Sequence, residues 1–379
     1  MLSIVLPTKN RPDFVRRALQ YYSKMRFQGP IYIADSSDAE HAEQMQRVLE
    51  SSASQLKIVH CAYPSDGIAV SHYKAAQAIG TKYVANTTDA AFLVSSALER
   101  CVAFLEHHPD YVAAHGRVVT LSLCFPGAYG AVNGVRPLLH RSIEGETASA
   151  RLMDHLSHYS EILYSVYRTE TWRTMWAHAH LPMTRALAGE MLPSCLAVVL
   201  GKVKQLDCLS LVRQSFQQRA SLPDPHDEIT GLEWSASYHA FREQLTQALV
   251  RQDRITVAEA QEVIKQAFWA YLAKWMGRVW QVRYARRKAG IVLQARTALR
   301  ERLRVVPWLR WTWRMVTSHL PGEAHAMSLF ALLRPSSPYH RDFLPIYQTI
   351  TQQQQELSYR TIASSVESSI ALGARGRQW

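Results

Sequence analysis

The feature that most constrains this chain is an alternation between two hydrophobic periods in its first 120 residues, with polar residues at each switch. Leu2-Ser3-Ile4-Val5-Leu6 is a nearly continuous apolar run ending at Pro7, and it reads as a strand buried on both faces. Pro12 then stands where a first helical turn would begin, a place that tolerates its missing N–H, and Phe14, Ala18, Leu19 and Tyr22 follow at helical spacing. Further strands are expected over residues 31–34, 56–59, 83–85 and 111–114. Helices are expected over 39–50, over 69–79 with Gly80 as a cap, and over 95–106. Strands and helices alternating with short joints predict an α/β fold, a parallel sheet covered on both faces. Ligands of such sheets bind outside the carboxyl ends of the strands. The residues there are Pro7-Thr8-Lys9-Asn10-Arg11, Asp35-Ser36-Ser37, positions 64–68, and Asn86-Thr87-Thr88-Asp89.

Composition narrows the function classes. The chain has 379 residues, enough for two domains, and 47% hydrophobic against 20% charged residues excludes extensive disorder. No apolar run approaches the roughly 18 residues of a membrane span, and MLSIVLPTKN turns polar too soon for a signal peptide. The five cysteines (Cys61, Cys101, Cys124, Cys195, Cys208) have neither disulfide-framework nor zinc spacing, which suits a reducing cytoplasm. The close histidine pairs, His107-His108 and His155 with His158, bring no third ligand. A Walker loop, a Gly-x-Gly-x-x-Gly and a nucleophile elbow are all missing, which weakens kinase, NTPase, dehydrogenase and esterase readings.

The net charge of +12 is local. Residues 265–320 hold thirteen Lys and Arg against one acid, Glu301, so the rest of the chain is neutral. Six of the ten tryptophans (Trp269, Trp275, Trp280, Trp308, Trp311, Trp313) lie in the same stretch. Cations interleaved with Trp suit an anionic membrane surface. A helical domain with Trp core and solvated Arg face has the same composition, and so, less aptly, has a nucleic-acid binder. Residues 120–180 read as loops and short helices over the sheet edge, 183–200 as a helix and 203–212 as a strand. Pro223 and Pro225 mark a boundary that divides the chain into 1–225 and a mainly helical 226–379. In the second part Thr256-Val257-Ala258-Glu259 fits a capping box, followed on one face by Val257, Ile264, Phe268, Tyr271, Trp275, Val279 and Val282.

Six segments, in order, carry a family resemblance. They are Ser3 to Arg11 (an apolar strand, then Pro-Thr-x-Asn-Arg), Ala34-Asp35-Ser36-Ser37, YVANTTDAAFLV from Tyr83, YVAAHG from Tyr111, Leu187-Ala188-Gly189-Glu190-Met191-Leu192, and the strand from Gly201 to Gln214. Over about residues 1–215 the chain resembles family-two-like, inverting nucleotide-sugar glycosyltransferases of the GT-A fold. The resemblance implies a Rossmann-like, mostly parallel sheet flanked by helices, with a helical C-terminal region. It also implies a nucleoside-diphosphate-sugar donor bound at Pro7 and its neighbours, with Thr8, Arg11 and Asp35 at base and ribose and Lys74 and Asp89 facing the diphosphate. The residue types fit. Asp35 can accept the imide hydrogen of a uracil-type base, although helix capping is a competing role. Arg11 and Lys74 have competing roles as a surface ion pair and a solvated helix lysine. Glu190 is the expected general base, taking the acceptor hydroxyl's proton; an acid favoured by the helix dipole is the competing role.

One position departs from the family. A divalent metal, Mn or Mg, is expected on the last acid of Asp-x-Asp, but the sequence reads Asp89-Ala90-Ala91, leaving Asp89 as the only metal ligand. Three accounts compete: engineered alanines that remove activity, a metal-independent site using basic side chains, and a binding-only descendant. The sequence therefore predicts a glycosyltransferase acting on a saccharide or lipid-linked acceptor, with a place in bacterial surface polysaccharide assembly. It is expected to be cytoplasmic, peripheral at the inner face of the membrane, and capable of pairing as a homodimer. The alternative is a non-catalytic nucleotide-sugar or glycan-binding protein.

Overall fold

The structure, a computed structural model, describes residues 1–64, 66–215, 225–281 and 327–351. The chain runs β1 (Leu2–Thr8), α1 (Pro12–Lys24), β2 (Ile31–Asp35), α2 (Ala39–Ser52), β3 (Ile58–Ala62), α3 (Ile68–Ala78), β4 (Tyr83–Asn86), β5 (Ala91–Leu93), α4 (Ser95–His107) and β6 (Tyr111–Leu123). It continues with β7 (Val132–Leu138), α5 (Ala148–Ser157), β8 (Val166–Arg168), α6 (Thr169–Trp176), a π-turn (Leu187–Met191), α7 (Leu192–Leu200) and β9 (Lys202–Gln214). Beyond the boundary come α8 (Pro225–Ile229), α9 (Trp234–Asp253), α10 (Val257–Val279) and α11 (Leu329–Leu333).

The strands form one sheet in the order β3-β2-β1-β4-β8-β6-β9-β5, with β7 on β6. β3, β2, β1 and β4 are parallel, as the alternating sequence predicts. Successive residues divide between two cores: Ile4 and Leu6 face one with α1, α2 and α4, while Val5 faces the other with α3, α6 and α7. That double burial is why the strands read as continuous apolar runs. Helices α9 and α10 extend the second core through Phe241, Leu245, Ile264 and Phe268. Met327, Leu332, Phe343, Ile346 and Ile350 pack against the first.

The structure corrects several expectations. Residues 120–180 are not an edge insertion, because β8 lies inside the sheet, antiparallel to both β4 and β6. Three residues are too few to show a period. The strand is held by Arg168, whose guanidinium donates to the carbonyls of Leu105, His108 and Tyr111. β3 begins two residues later than expected, which brings His60 into the sheet opposite Ile33. Gly80 does not cap α3, which ends at Ile79 in extended conformation. The helix expected over 183–200 is a π-turn leading into α7. The capping box at Thr256 and Glu259 is present, but Val257 is 56% exposed because the helix entrance stands off the core. Of the basic stretch, residues 282–320 lie outside the described residues. In its described part Lys265 pairs with Glu262, Lys274 donates to the Ser157 carbonyl, and Trp269 and Trp280 are exposed. Among the described residues no helix is long and apolar enough to cross a membrane.

Two predictions test this packing. A Cβ on Gly116 would stand 2.3 Å from the Cys208 carbonyl oxygen, where β6 meets β9. Gly116→Ala is expected to cost about 1–3 kcal/mol in urea unfolding; an unchanged midpoint would refute the close pairing. Burial holds His155 neutral, its pKa lowered to about 3, and burial with the neighbouring His140 lowers His115 to about 4. Unfolded histidines protonate near pH ~6.5, so the unfolded chain binds more protons below that pH. Stability is then expected to fall as pH drops from about 6.5 towards about 4, and less steeply in His155→Phe.

Candidate functional site

Three chain segments converge at the carboxyl ends of β1, β2 and β4. Thr8 and Asp35 are partners in register at the ends of β1 and β2. The Thr87 amide bonds to the Val5 carbonyl (2.9 Å), which steers the segment after β4 towards the β1 end. Thr8 Oγ1 donates to Asp89 Oδ2 at 2.9 Å, and Arg11 donates to Asp89 Oδ1 at 3.0 Å. The Arg11 guanidinium lies 4.0 Å from the centre of the Phe14 ring. Asp89 is thus paired with two of the residues that the sequence singled out. Burial raises its pKa, opposed by Arg11, Thr8 and Arg17.

Asp35 is buried and does not cap α2, whose N-cap is Asp38. It accepts from the Ser37 amide (2.9 Å) and lies 3.2 Å from His60 Nε2. Burial works against its charged form, but the hydrogen bonds from His60 and Ser37 outweigh that, so its pKa falls below the ordinary carboxylate value. Asn10 bridges the two loops in the left-handed region (φ 56°), which asparagine tolerates better than most residues. Its amide donates to Ser37 Oγ and its side chain exchanges hydrogen bonds with Asp38. Pro7 lies within β1 opposite Ala34. Lys74 pairs with Asp66 at 2.7 Å and lies 5.2 Å from the Tyr63 ring; the Tyr63 amide in turn bonds to the Asp35 carbonyl.

Glu190 belongs to a second cluster. It sits on the π-turn, an irregularity that often marks functional sites, and accepts from Tyr159 at 2.9 Å. Its charge acts on Tyr159, Tyr164, Tyr271 and Arg213, and Arg213 pairs with Glu161 at 2.8 Å. Burial is the main cause that pushes all three tyrosines well above the ordinary phenol range. Tyr271 comes from α10, so the helical region contributes to this cluster. The two clusters meet where β5 pairs with β9, with Ala91 opposite Arg213. The Gln214 amide bonds to the Ala90 carbonyl at 2.8 Å.

Sequence reasoning missed Arg17, His60, Tyr159, Glu161 and Arg213. Arg17 is fully buried in α1 and donates to Gln214 Oε1 (2.6 Å) and to the Ala128 carbonyl. It sits between the Phe14 and Phe92 rings, 4.9 Å from each centre. Its spacing from Phe14 and Tyr21, three and four residues, is the signal that could have placed it on the inward face.

The donor set does not fit a divalent metal. Both oxygens of Asp89 are engaged, the one nearest neighbour able to compete with a cation is a guanidinium, and Ala90 and Ala91 supply no oxygen side chains. Among the described residues no group of three or more His, Cys, Asp or Glu could hold a metal ion.

No family model matches the sequence, and no curated protein matches it. Solved structures do. S. aureus TarS 1–349 in complex with UDP-GlcNAc aligns with a TM-score of 0.50 at 13% identity, covering 94% of this chain and 91% of that one. A longer S. aureus TarS structure aligns at 0.46 and 11% identity, covering 75% of this chain, which spans only 45% of that protein. The mannosyltransferase PcManGT from Pyrobaculum calidifontis, in complex with GDP-Man and Mn2+, aligns at 0.41 and 14% identity, covering 82% of each chain. The first of these shares the fold of this chain, a mixed α/β sheet flanked by helices.

The left-handed bridge at Asn10 generates a prediction. Asn10→Val is expected to destabilise by about 1–3 kcal/mol through backbone strain, and Asn10→Gly by less. Thermal unfolding of the two variants measures the difference; equal losses would show that the side-chain hydrogen bonds to Asp38 dominate.

Proposed function

We propose that this chain transfers a sugar from a nucleoside-diphosphate sugar to a hydroxyl acceptor with inversion. The observation that carries the reading is the convergence of Thr8, Arg11, Asp35 and Asp89 at the strand ends, joined by the β5–β9 pairing to Glu190. A nucleotide base would lie against the ends of β1 and β2, with Asp35 as its acceptor; lowering of the Asp35 pKa keeps that carboxylate charged and accepting. Lys74, on α3, would reach the diphosphate on leaving Asp66. Glu190 takes the proton of the acceptor hydroxyl as its oxygen bonds to the anomeric carbon. The bond from that carbon to the diphosphate oxygen breaks, and the electron pair leaves with the nucleoside diphosphate. Tyr159, bonded to Glu190, holds the carboxylate in place for that transfer.

The acceptor would approach from the side of Tyr159 and Tyr271, which places α10 beside it. The exposed Trp269 and Trp280 of that region support a lipid-linked acceptor, in surface polysaccharide assembly, met at an anionic membrane. A second reading, a nucleotide-sugar-binding protein without activity, is favoured by Ala90 and Ala91.

Release of nucleoside diphosphate from a panel of UDP- and GDP-sugars tests the assignment. Glu190→Gln is expected to lower the rate by about 100-fold or more while nucleotide affinity stays unchanged. A rate untouched by Glu190→Gln would overturn the role of Glu190. Nucleotide binding without release from any donor, with acceptor mixtures present, would favour the second reading.

A further inference from the structure

We propose that the donor diphosphate is bound without a divalent metal, by Arg11 in direct contact beside Lys74 and not at base and ribose as the resemblance implies, with the buried Arg17 as a positioning residue behind Arg11. This rests on the reading of the site as a nucleotide-sugar site.

The charge around Asp89 is the starting point. Two guanidinium groups, Arg11 and Arg17, act on one buried carboxylate. Around Asp89 the two guanidinium groups outnumber the carboxylate, which disfavours a dication there and favours an anion; the other carboxylate of the site, Asp35, is engaged by Ser37 and His60. Arg17 sharpens the imbalance. It is fully buried, and among the described residues its Nε and second terminal nitrogen have no hydrogen-bond partner. A buried cation left short of partners is costly, and an anion close by offsets that cost through the low-dielectric interior.

Arg11 is built to present such an anion with a guanidinium. Its side chain is one-third exposed, one edge is fixed by Asp89, and its plane is backed by Phe14. A guanidinium held in this way suits the forked recognition of phosphate oxygens. Asp89 then serves as the anchor that orients Arg11, and Thr8 fixes the other oxygen of that anchor.

The alanines fit this arrangement. Ala91 is fully buried in β5 and lies opposite Arg213 across the strand pair. A carboxylate at position 91 would face a guanidinium across the sheet. Metal-free binding is therefore a property of the surrounding arginines and not only of two missing acids.

Calorimetric titration of the full chain with UDP and GDP, first in chelator and then with manganese or magnesium, tests the inference. Affinity is expected to stay within about twofold, because no metal contact is gained or lost. Arg11→Ala is expected to weaken UDP by tenfold or more while leaving uridine unchanged, a contrast that a merely structural defect would not produce. Arg17→Met is expected to do the same, and Arg17→Lys to restore part of the affinity; thermal unfolding of each variant shows whether it is folded. Tightening of tenfold or more by either metal would overturn the metal-free site and leave the glycosyltransferase reading standing. Equal losses for UDP and uridine in Arg11→Ala would remove Arg11 from the diphosphate. Failure of both nucleotides to bind under every condition would overturn the nucleotide-sugar reading itself, and this inference with it.

Discussion

The geometry of the candidate site depends on a three-residue strand. Ala91, Phe92 and Leu93 pair with Arg213, Val212 and Leu211, and this short antiparallel contact brings the segment after β4 against the far end of β9. One side of the contact carries Asp89, tied to Thr8 and Arg11; the other leads back through β9 to α7 and the π-turn with Glu190. A parallel sheet alone would leave these groups on separate loops. The pairing adds backbone hydrogen bonds, including Gln214 to Ala90, that fix one loop relative to the other. The two clusters are thereby positioned by sheet geometry, which is more exact than loop packing.

Burial then sets the electrostatics. Arg17 is covered by aromatic rings and by Gln214, the residue whose amide also holds Ala90. Its side chain therefore senses both the strand pair and Asp89. Desolvation lowers its pKa to about 10, still far above neutral pH, so it stays charged. The charged form of a buried carboxylate is favoured by cations and hydrogen bonds in place of water: burial, the largest influence on Asp89, raises its pKa and is opposed by Arg11, Thr8, Arg17 and the Ala90 amide.

What was legible in the sequence follows the same physics. β1, β2 and β4 could be read because burial on both faces writes continuous apolar runs that stop at polar residues, whereas the edge strand β3 is largely exposed and was placed two residues early. Thr8, Arg11, Asp35 and Asp89 were found by that rule, and the structure brings Thr8, Arg11 and Asp89 into direct contact. β8 was not legible, since Val166-Tyr167-Arg168 is shorter than any period and is anchored by an arginine that sequence alone assigns to solvent. Arg17 was hidden for a related reason: a charged residue on an amphipathic helix reads as exposed unless its neighbours three and four positions away are weighed. The π-turn at Glu190 has no sequence signature separate from the helix it precedes. Lys74 was read as a diphosphate contact, and its partner in the structure, Asp66, lies in a loop that the sequence marked only as polar.

Local rules fail at the two clusters in three ways. Asn10 adopts a left-handed backbone, Glu190 rides on a π-turn, and Arg17 is a buried cation short of partners. Each costs stability that a plain sheet and helix would not incur. Elsewhere left-handed backbone recurs at Arg26 and Arg254, where α1 and α9 end, and the regular elements keep to the rules: a proline begins α1, a capping box opens α10, and apolar residues alternate between the two cores. Strain scattered at random would point to poor packing. Strain where three strand ends meet the buried Asp89 is of another kind from a helix ending, and under the proposed reading the binding of a ligand would offset its cost.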